Sequence, residues 1–321
     1  MVLIFVELDN GQIKKTSLEA VYYGSEVAKM QGSSATVLAI GAADASALAT
    51  AGNFGATKVL HANAAEYATE NAMAYASILT AAVQQEGANV VVLPKSGLCD
   101  AMSARAAAKI KANVVSGAVE LPDLSNGGFT VKRGIYTGKA FATVSMDSAI
   151  KILGVKKNAV AAVETSAIAE VVLFNPAPND SDFTAKVISQ EKASDELSLT
   201  EADIIVSGGR GMKGPENWQP ILDLAKSLHA ATGCSKPVSD LDWRPHHEHI
   251  GQTGIKVAPN LYIACGISGA IQHLAGVNAS KCIVVINKDA DAPFFKAADY
   301  GIVGDVFDIL PRLTKAIEAA K

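Results

Sequence analysis

The sequence predicts an α/β protein of two successive domains, each built on an open, mostly parallel sheet with helices packed against it. Three observations carry this. Short, continuously apolar runs alternate with alanine-rich stretches of helical length through residues 1–190; strand, glycine-rich turn and helix recur through residues 201–321; and a polar stretch separates the two. A length of 321 residues suits two domains.

In the first part, VLIFVEL, ATVLAI, ATKVLH and ANVVVLP have the composition of parallel strands, which are buried on both faces and therefore lack polar alternation. Helices are expected between them near Leu18–Gln31, Ala64–Gln85 and Ala101–Lys111, with alanine faces that permit close packing. The opening MVLIFVELDN reads as a strand containing an acid, without the basic head of a secretory leader. After Ser116 the runs shorten, and FTVKRGIYTGKAFATVSM suits a β-hairpin. Pro94–Asp100 falls at the carboxyl edge of a strand, where ligands bind in open sheets, although a structural role is the simpler expectation. A polar stretch from Gln190 to Thr200 follows, and residues 191–200 are expected to link the domains and let the second swivel against the first.

The second part opens with a strand at Ile204–Ser207 that runs into GGRGMKG (Gly208–Gly214), a Gly-x-Gly-x-x-Gly spacing ahead of a helix expected over Glu216–Ala231. In a standard dinucleotide site an acid closes the next strand roughly 20 positions later and holds the ribose. Here that region reads as the Cys234–Trp243 loop instead. Arg210 puts a guanidinium in the glycine-rich turn, suited to a phosphate or an anionic ring. HIGQTG (His249–Gly254) then presents an amide, a hydroxyl and bare backbone N–H groups together, the set that hydrogen-bonds the edge of a planar heterocycle.

LYIACGISGAIQHLAGVNASKCIVVIN (Leu261–Asn287) contains two buried strands, LYIA and CIVVIN, joined by a glycine turn and a helix beginning near Ala270. Gly266 and Gly269 allow a sharp turn and close approach to a ligand, and the helix start at Ser268, Gly269 and Ala270 offers free N–H groups to a pyrophosphate. Asn287 ends its strand at the ligand-binding edge. YGIVGD (Tyr300–Asp305) repeats the pattern, with Asp305 as N-cap of a last helix, Val306–Ala320.

WRPHHEH (Trp243–His249) gathers three histidines and Glu248, but neighbours in an extended loop point apart, so no metal site is expected. The loop is expected to lead into GQTG with one histidine titrating near neutrality.

Taken in order, GGRG, GCSKPVSD, GQTG, GISGAIQH, VIN and YGIVGD resemble the electron-transfer flavoprotein alpha subunit across residues 201–321, while residues 1–190 resemble it more loosely, as at IYTGKA (Ile135–Ala140). The resemblance implies a Rossmann-like, doubly wound FAD-binding domain after an N-terminal domain that serves as scaffold and subunit interface. It also implies a heterodimer with a beta subunit, which holds AMP or a second FAD. Such proteins carry single electrons from acyl-CoA dehydrogenases of fatty acid beta-oxidation, or similar flavin dehydrogenases, to a membrane quinone oxidoreductase. They are carriers without a substrate of their own.

By motif position the resemblance assigns FAD contacts to Arg210, Ser235, Lys236, Ile250, Gly251, Gln252, Thr253, Ser268, Gly269, Ala270, Ile271, Gln272, His273, Asn287, Asp305 and Val306. It puts Thr253 near flavin N5 and His273 at the pyrimidine carbonyl. Ser235 and Ser268 suit the pyrophosphate, and Asn287 and Asp305 the adenosine half. A cation about 4 Å from the ring contributes on the order of 4 kcal/mol at an effective dielectric near 20, which is roughly 170 mV for one electron. Three positions depart from the family. Lys236 stands where many relatives have arginine, Ile255 precedes Lys256 where lysine usually follows GQTG directly, and Val285 replaces an alanine.

The remaining composition excludes several classes. The net charge of −4 argues against a nucleic-acid surface, and no apolar run is long enough to span a bilayer. Cys99, Cys234, Cys265 and Cys282 show no metal or disulfide spacing and are expected as free thiols in the cytoplasm. An NAD-binding oxidoreductase or regulatory domain using the same cradle, and a scaffold without cofactor, remain as other readings.

Overall fold

Strand β1 (Val2–Val6) is buried along its whole length because it packs on both faces. Val2, Ile4 and Val6 enter one apolar cluster, while Leu3 and Phe5 enter another on the opposite side. The chain is seen in a computed structural model that describes residues 1–136, 140–185, 187–189 and 198–320. It forms two units, Met1–Gln190 and Glu191–Lys321.

In the first unit β1 is followed by β2 (Leu8–Asp9) and β3 (Gln12–Ile13), a small antiparallel ribbon, and by α1 (Lys15–Met30). Then come β4 (Ala35–Ile40), α2 (Ala45–Ala49), β5 (Lys58–Ala62), α3 (Ala72–Glu86), β6 (Val90–Pro94) and α4 (Gly97–Ile110). The unit ends with β7 (Asn113–Ala118), the antiparallel pair β8 (Thr130–Ile135) and β9 (Ala140–Ser145), then β10 (Lys151–Val155) and β11 (Glu170–Leu173). Nine strands make one sheet in the order β11-β5-β4-β1-β6-β10-β7-β8-β9, parallel from β11 to β7. The hairpin expected after Ser116 forms from β8 and β9; residues 137–139 lie outside the described residues, as do residues 190–197 of the expected polar stretch.

Helix boundaries differ from the sequence expectation where a cap intervenes. A short turn at Ala65–Tyr67 precedes α3, which starts afresh because the Asn71 side chain accepts from Met73 N and Ala74 N. Ser96 likewise caps α4 through Cys99 N at 3.1 Å, so that helix begins at Gly97.

The second unit holds β12 (Ile204–Gly208), α5 (Gln219–Leu228), β13 (Ala231–Cys234), α6 (Lys236–Asp240) and β14 (Leu261–Cys265). It continues with α7 (Ile271–Val277), β15 (Ile283–Asn287), β16 (Tyr300–Val303) and α8 (Val306–Ala319). All five strands are parallel, in the order β13-β12-β14-β15-β16. Tyr262 and Ala264 of β14 face one cluster with Val277 of α7, whereas Ile263 and Cys265 face the other with Ile221 and Leu224 of α5 and Leu310 of α8. Helices therefore cover both faces of the sheet. The helix expected over Glu216–Ala231 is shorter: a turn at Pro215–Asn217 precedes α5, His229 ends it at φ +51°, and Ala231 already begins β13. The expected Cys234–Trp243 loop likewise starts as the end of β13 and continues as α6.

Candidate functional site

In the five-stranded sheet the chain runs outward from β12 to β13 and then returns past β12 to β14. Carboxyl ends of strands at such a switch point diverge into a crevice that binds ligands in open α/β sheets. The loops on either side of it are held together. Gly209 N donates to Cys265 O at 2.9 Å and Gly211 N to Gly266 O at 3.0 Å. Ser235 N donates to Gly208 O at 3.1 Å, joining the end of β13 to the same group.

The 250–254 loop joins from the other side. Ile250 N donates to Cys234 O at 2.9 Å, and Gln252 N to Gln272 O at 2.7 Å, which seats the loop on α7. Asn287 Nδ2 donates to Ile267 O at 3.0 Å, and Gly304 N to Asn287 O at 3.0 Å. Segments far apart in sequence thus meet at one sheet edge. Around it the side chains of Arg210, Lys236, Gln252, Thr253, Ser268 and Gln272 are exposed.

Other expected contacts are placed differently from the motif reading. The Ile250 and Val306 side chains lie in the core, so they have only backbone to offer at the edge. His273 is 6% exposed, and its ring turns inward between Tyr262 and Phe294 rather than toward the crevice. Its Nε2 lies 2.8 Å from the Tyr262 hydroxyl, and burial pushes the imidazole down to about 4, so it is neutral at pH 7. Asn287 spends its amide within the chain, accepting from Asp289 N at 3.1 Å while donating to Ile267. Asp305 caps α8 as expected, with Oδ1 accepting from Phe307 N at 3.0 Å.

The glycines are explained by the chain itself. A Cβ on Gly209 would lie 2.3 Å from Gly266 O, and one on Gly211 2.7 Å from Gly266 Cα. Gly266 and Gly269 have φ of +63° and +83°, as a tight turn requires, but their close approaches are to Gly211 and Phe294. They shape the rim by letting backbone pass backbone.

In WRPHHEH, Glu248 is 2% exposed, with both oxygens accepting from Arg244, whose guanidinium also lies over Trp218 at 5.9 Å. No group of metal-ligating side chains occurs among the described residues. Burial and the neighbouring His246 hold His249 below the usual imidazole range. The four cysteines are unpaired, and burial raises the thiols of Cys234 and Cys265 to about 12.

Sequence reasoning missed Lys213. It adopts φ +68°, its ammonium sits over the Phe307 ring at 4.9 Å, and Nζ lies 3.8 Å from Asp305 Oδ2. Only its place in the GGRGMKG turn hinted at a role. The exposed cations Arg210 and Lys236 and the exposed amide and hydroxyl of Gln252 and Thr253 are the donor types that suit an anionic nucleotide carrying a heterocyclic ring.

Comparison with known proteins supplies the family. The family described as "Electron transfer flavoprotein domain" matches residues 2–179, and the "Electron transfer flavoprotein FAD-binding domain" matches residues 198–278. The chain is 37% identical over 319 residues to the electron transfer flavoprotein subunit alpha of Bacillus subtilis, covering 98% of this chain and 96% of that one. It is 39% identical over 324 residues to the subunit of that name from Pseudomonas aeruginosa, covering 98% and 99%. A mitochondrial electron transfer flavoprotein subunit alpha from Dictyostelium discoideum is 40% identical over 231 residues, covering 68% and 62%. With matches along nearly its whole length, the chain belongs to the electron transfer flavoprotein alpha-subunit family.

Proposed function

We propose that the chain holds FAD at the carboxyl edge of its five-stranded sheet and works, with a beta subunit, as a carrier of single electrons. The observation that carries this is the switch-point crevice, bounded by the paired Gly208–Gly214 and Gly266–Gly269 loops and rimmed by Arg210, Lys236, Gln252 and Thr253. FAD bound there would supply a ring that takes up and releases electrons one at a time.

The chain's own groups would bind and tune it. Arg210 and Lys236 supply positive charge, Ser235, Ser268 and the 268–272 backbone face the pyrophosphate, and Asp305 with Lys213 flanks the adenosine half. Gln252 and Thr253 hydrogen-bond the edge of the ring. Cations and donors fixed in advance stabilise charge that arrives with an electron, without reorganising at that moment. Lys236 carries that charge without a planar fork.

On the same reading, residues 1–190 are scaffold and subunit interface, residues 191–200 a linker, and residues 201–321 the FAD-binding domain. Donors would be acyl-CoA dehydrogenases or similar flavoenzymes, the acceptor a membrane quinone oxidoreductase, and the compartment the cytoplasm. The test is co-expression with the beta subunit, followed by a visible spectrum and a flavin count per dimer. A yellow complex with flavin reducible in single-electron steps is expected. A complex that stays colourless after incubation with FAD, or takes up NAD instead, overturns the proposal.

A further inference from the structure

We propose that His249 is the positioning residue of the Gly251–Gly254 loop, an internal wedge that sets how Gln252 and Thr253 are presented at the crevice. Its consequence for flavin rests on the reading above; its cause rests on geometry alone.

The imidazole is 3% exposed and lies behind the loop. A Cβ added to Gly254 would stand 2.7 Å from His249 Nδ1, and one added to Gly251 would stand 3.2 Å from Nε2. Neither glycine has a positive φ; the ring crowds both, together with the His249 carbonyl 2.3 Å from a Cβ on Gly254 and the Gln272 carbonyl 3.2 Å from one on Gly251. The backbone closes around the same residue: Ile255 N donates to His249 O at 2.8 Å and Gly251 N to Ile255 O at 3.2 Å. Anything that displaces the ring therefore displaces the strap carrying Gln252 and Thr253.

The wedge works as a neutral group. Nδ1 has no hydrogen-bond partner among the described residues. The charged and titratable groups around the ring are His246 on the preceding turn, 5.7 Å away between centroids, Lys236 and Asp240 on α6, and His273 on α7. Glu248, the nearest carboxylate in sequence, is bound on both oxygens by Arg244. Burial, His246 and Lys236 lower the imidazole while Asp240 opposes them. A proton added in acid brings charge to a buried ring whose Nδ1 has no acceptor, and the loop must shift to give it one.

The experiment follows the backbone amide signals of Gln252 and Thr253 by NMR in the cofactor-free full chain from about pH 8 to about pH 5, across the imidazole range. In the wild type both signals move in step with the His249 ring; in His249→Gln they hold still. Signals that ignore pH in the wild type, or move equally in the variant, overturn the proposal. A second arm titrates FAD into the alpha–beta complex. The wild type loses about tenfold in affinity across that range, equivalent to about 1.4 kcal/mol. His249→Gln loses none, and His249→Ala binds weakly at both ends because the wedge is gone. A wild type that binds no FAD defeats the cofactor reading and leaves the NMR arm to decide His249; parallel affinity profiles in a complex that does bind FAD defeat the role of His249 alone.

Discussion

Both sheets contain a topological switch point, and they differ in what stands at it. In the nine-stranded sheet the switch lies between β1 and β6. There Glu7, 7% exposed, faces Lys14 Nζ at 3.8 Å; Lys95 pairs with Asp100, and the other oxygen of Asp100 accepts from Ser116 Oγ at 2.8 Å. Charges at that edge are matched within the unit. In the five-stranded sheet the switch lies between β12 and β14, and Arg210, Lys236, Gln252 and Thr253 are exposed around it. The same backbone arrangement thus yields one edge closed on itself and one with donors turned outward. Topology supplies the crevice, and side chains decide whether it is a site.

The surest way to break the open edge is from beneath. Arg244→Met leaves the Glu248 carboxylate buried without its two charge-assisted bonds. Removing one partner of a buried pair costs about 3–5 kcal/mol, and a loss near the lower end is expected because Arg244 is 21% exposed. Chemical denaturation should show it as a lower transition midpoint, and an unchanged midpoint would deny the pair its structural role. Next in size is Gly209→Ala, whose Cβ would meet the Gly266 carbonyl at 2.3 Å. Overpacking of this kind costs roughly 2–3 kcal/mol. Because it splays the two loops of the crevice, flavin retention should fall along with thermal stability; stability lost with retention intact would mean the loops do not frame the site.

Acid should act selectively on the second unit. Burial depresses His273 to about 4, so its neutral form is favoured in the folded state. The stability this contributes is present above the ordinary imidazole value near 6.5 and is lost as pH falls from there toward 4, by about 1.4 kcal/mol per pH unit. His249 shifts in the same direction. The His273→Gln variant should lose less stability than the wild type between about pH 7 and pH 5. Equal losses in thermal unfolding would show that the imidazole buried beside Tyr262 is not the source.

Sequence alone made the sheets legible because their strands are continuous apolar runs: ATVLAI coincides with β4, and LYIA with β14 up to its last residue, Cys265. It did not show β10, which inserts between β6 and β7 from beyond the hairpin, a long-range pairing with no local signature. Nor did it show β13, whose ATGC is too short and too poor in large apolar residues to stand out. At the site, the motifs identified which loops gather but not where side chains point. The inward turn of His273 depends on Tyr262 and Phe294, on other elements, and the glycines of GGRG and GISG read as ligand clearance when their neighbours are each other. Lys213 escaped because its positive φ and its reach to Asp305 belong to tertiary structure.

The smallest effects give the finest comparison. Lys95 and Lys236 each stand just beyond a strand's carboxyl end, one after β6 and one after β13. Lys95 pairs with Asp100 near the surface, and such pairs contribute about 0–1 kcal/mol. Lys95→Met should therefore lower stability by at most about 0.5 kcal/mol and leave flavin affinity unchanged. Lys236→Met should leave stability unchanged and weaken FAD binding by about 1.5 kcal/mol, the low end expected for one charge-assisted contact made by an exposed cation. Raising salt should shrink that difference, since an exposed cation is screened within about 10 Å at moderate ionic strength. If both substitutions weaken FAD equally, the closed edge of the first sheet contributes to binding and the contrast between the two edges fails. If neither does, the positive charge at the second edge serves something other than the cofactor.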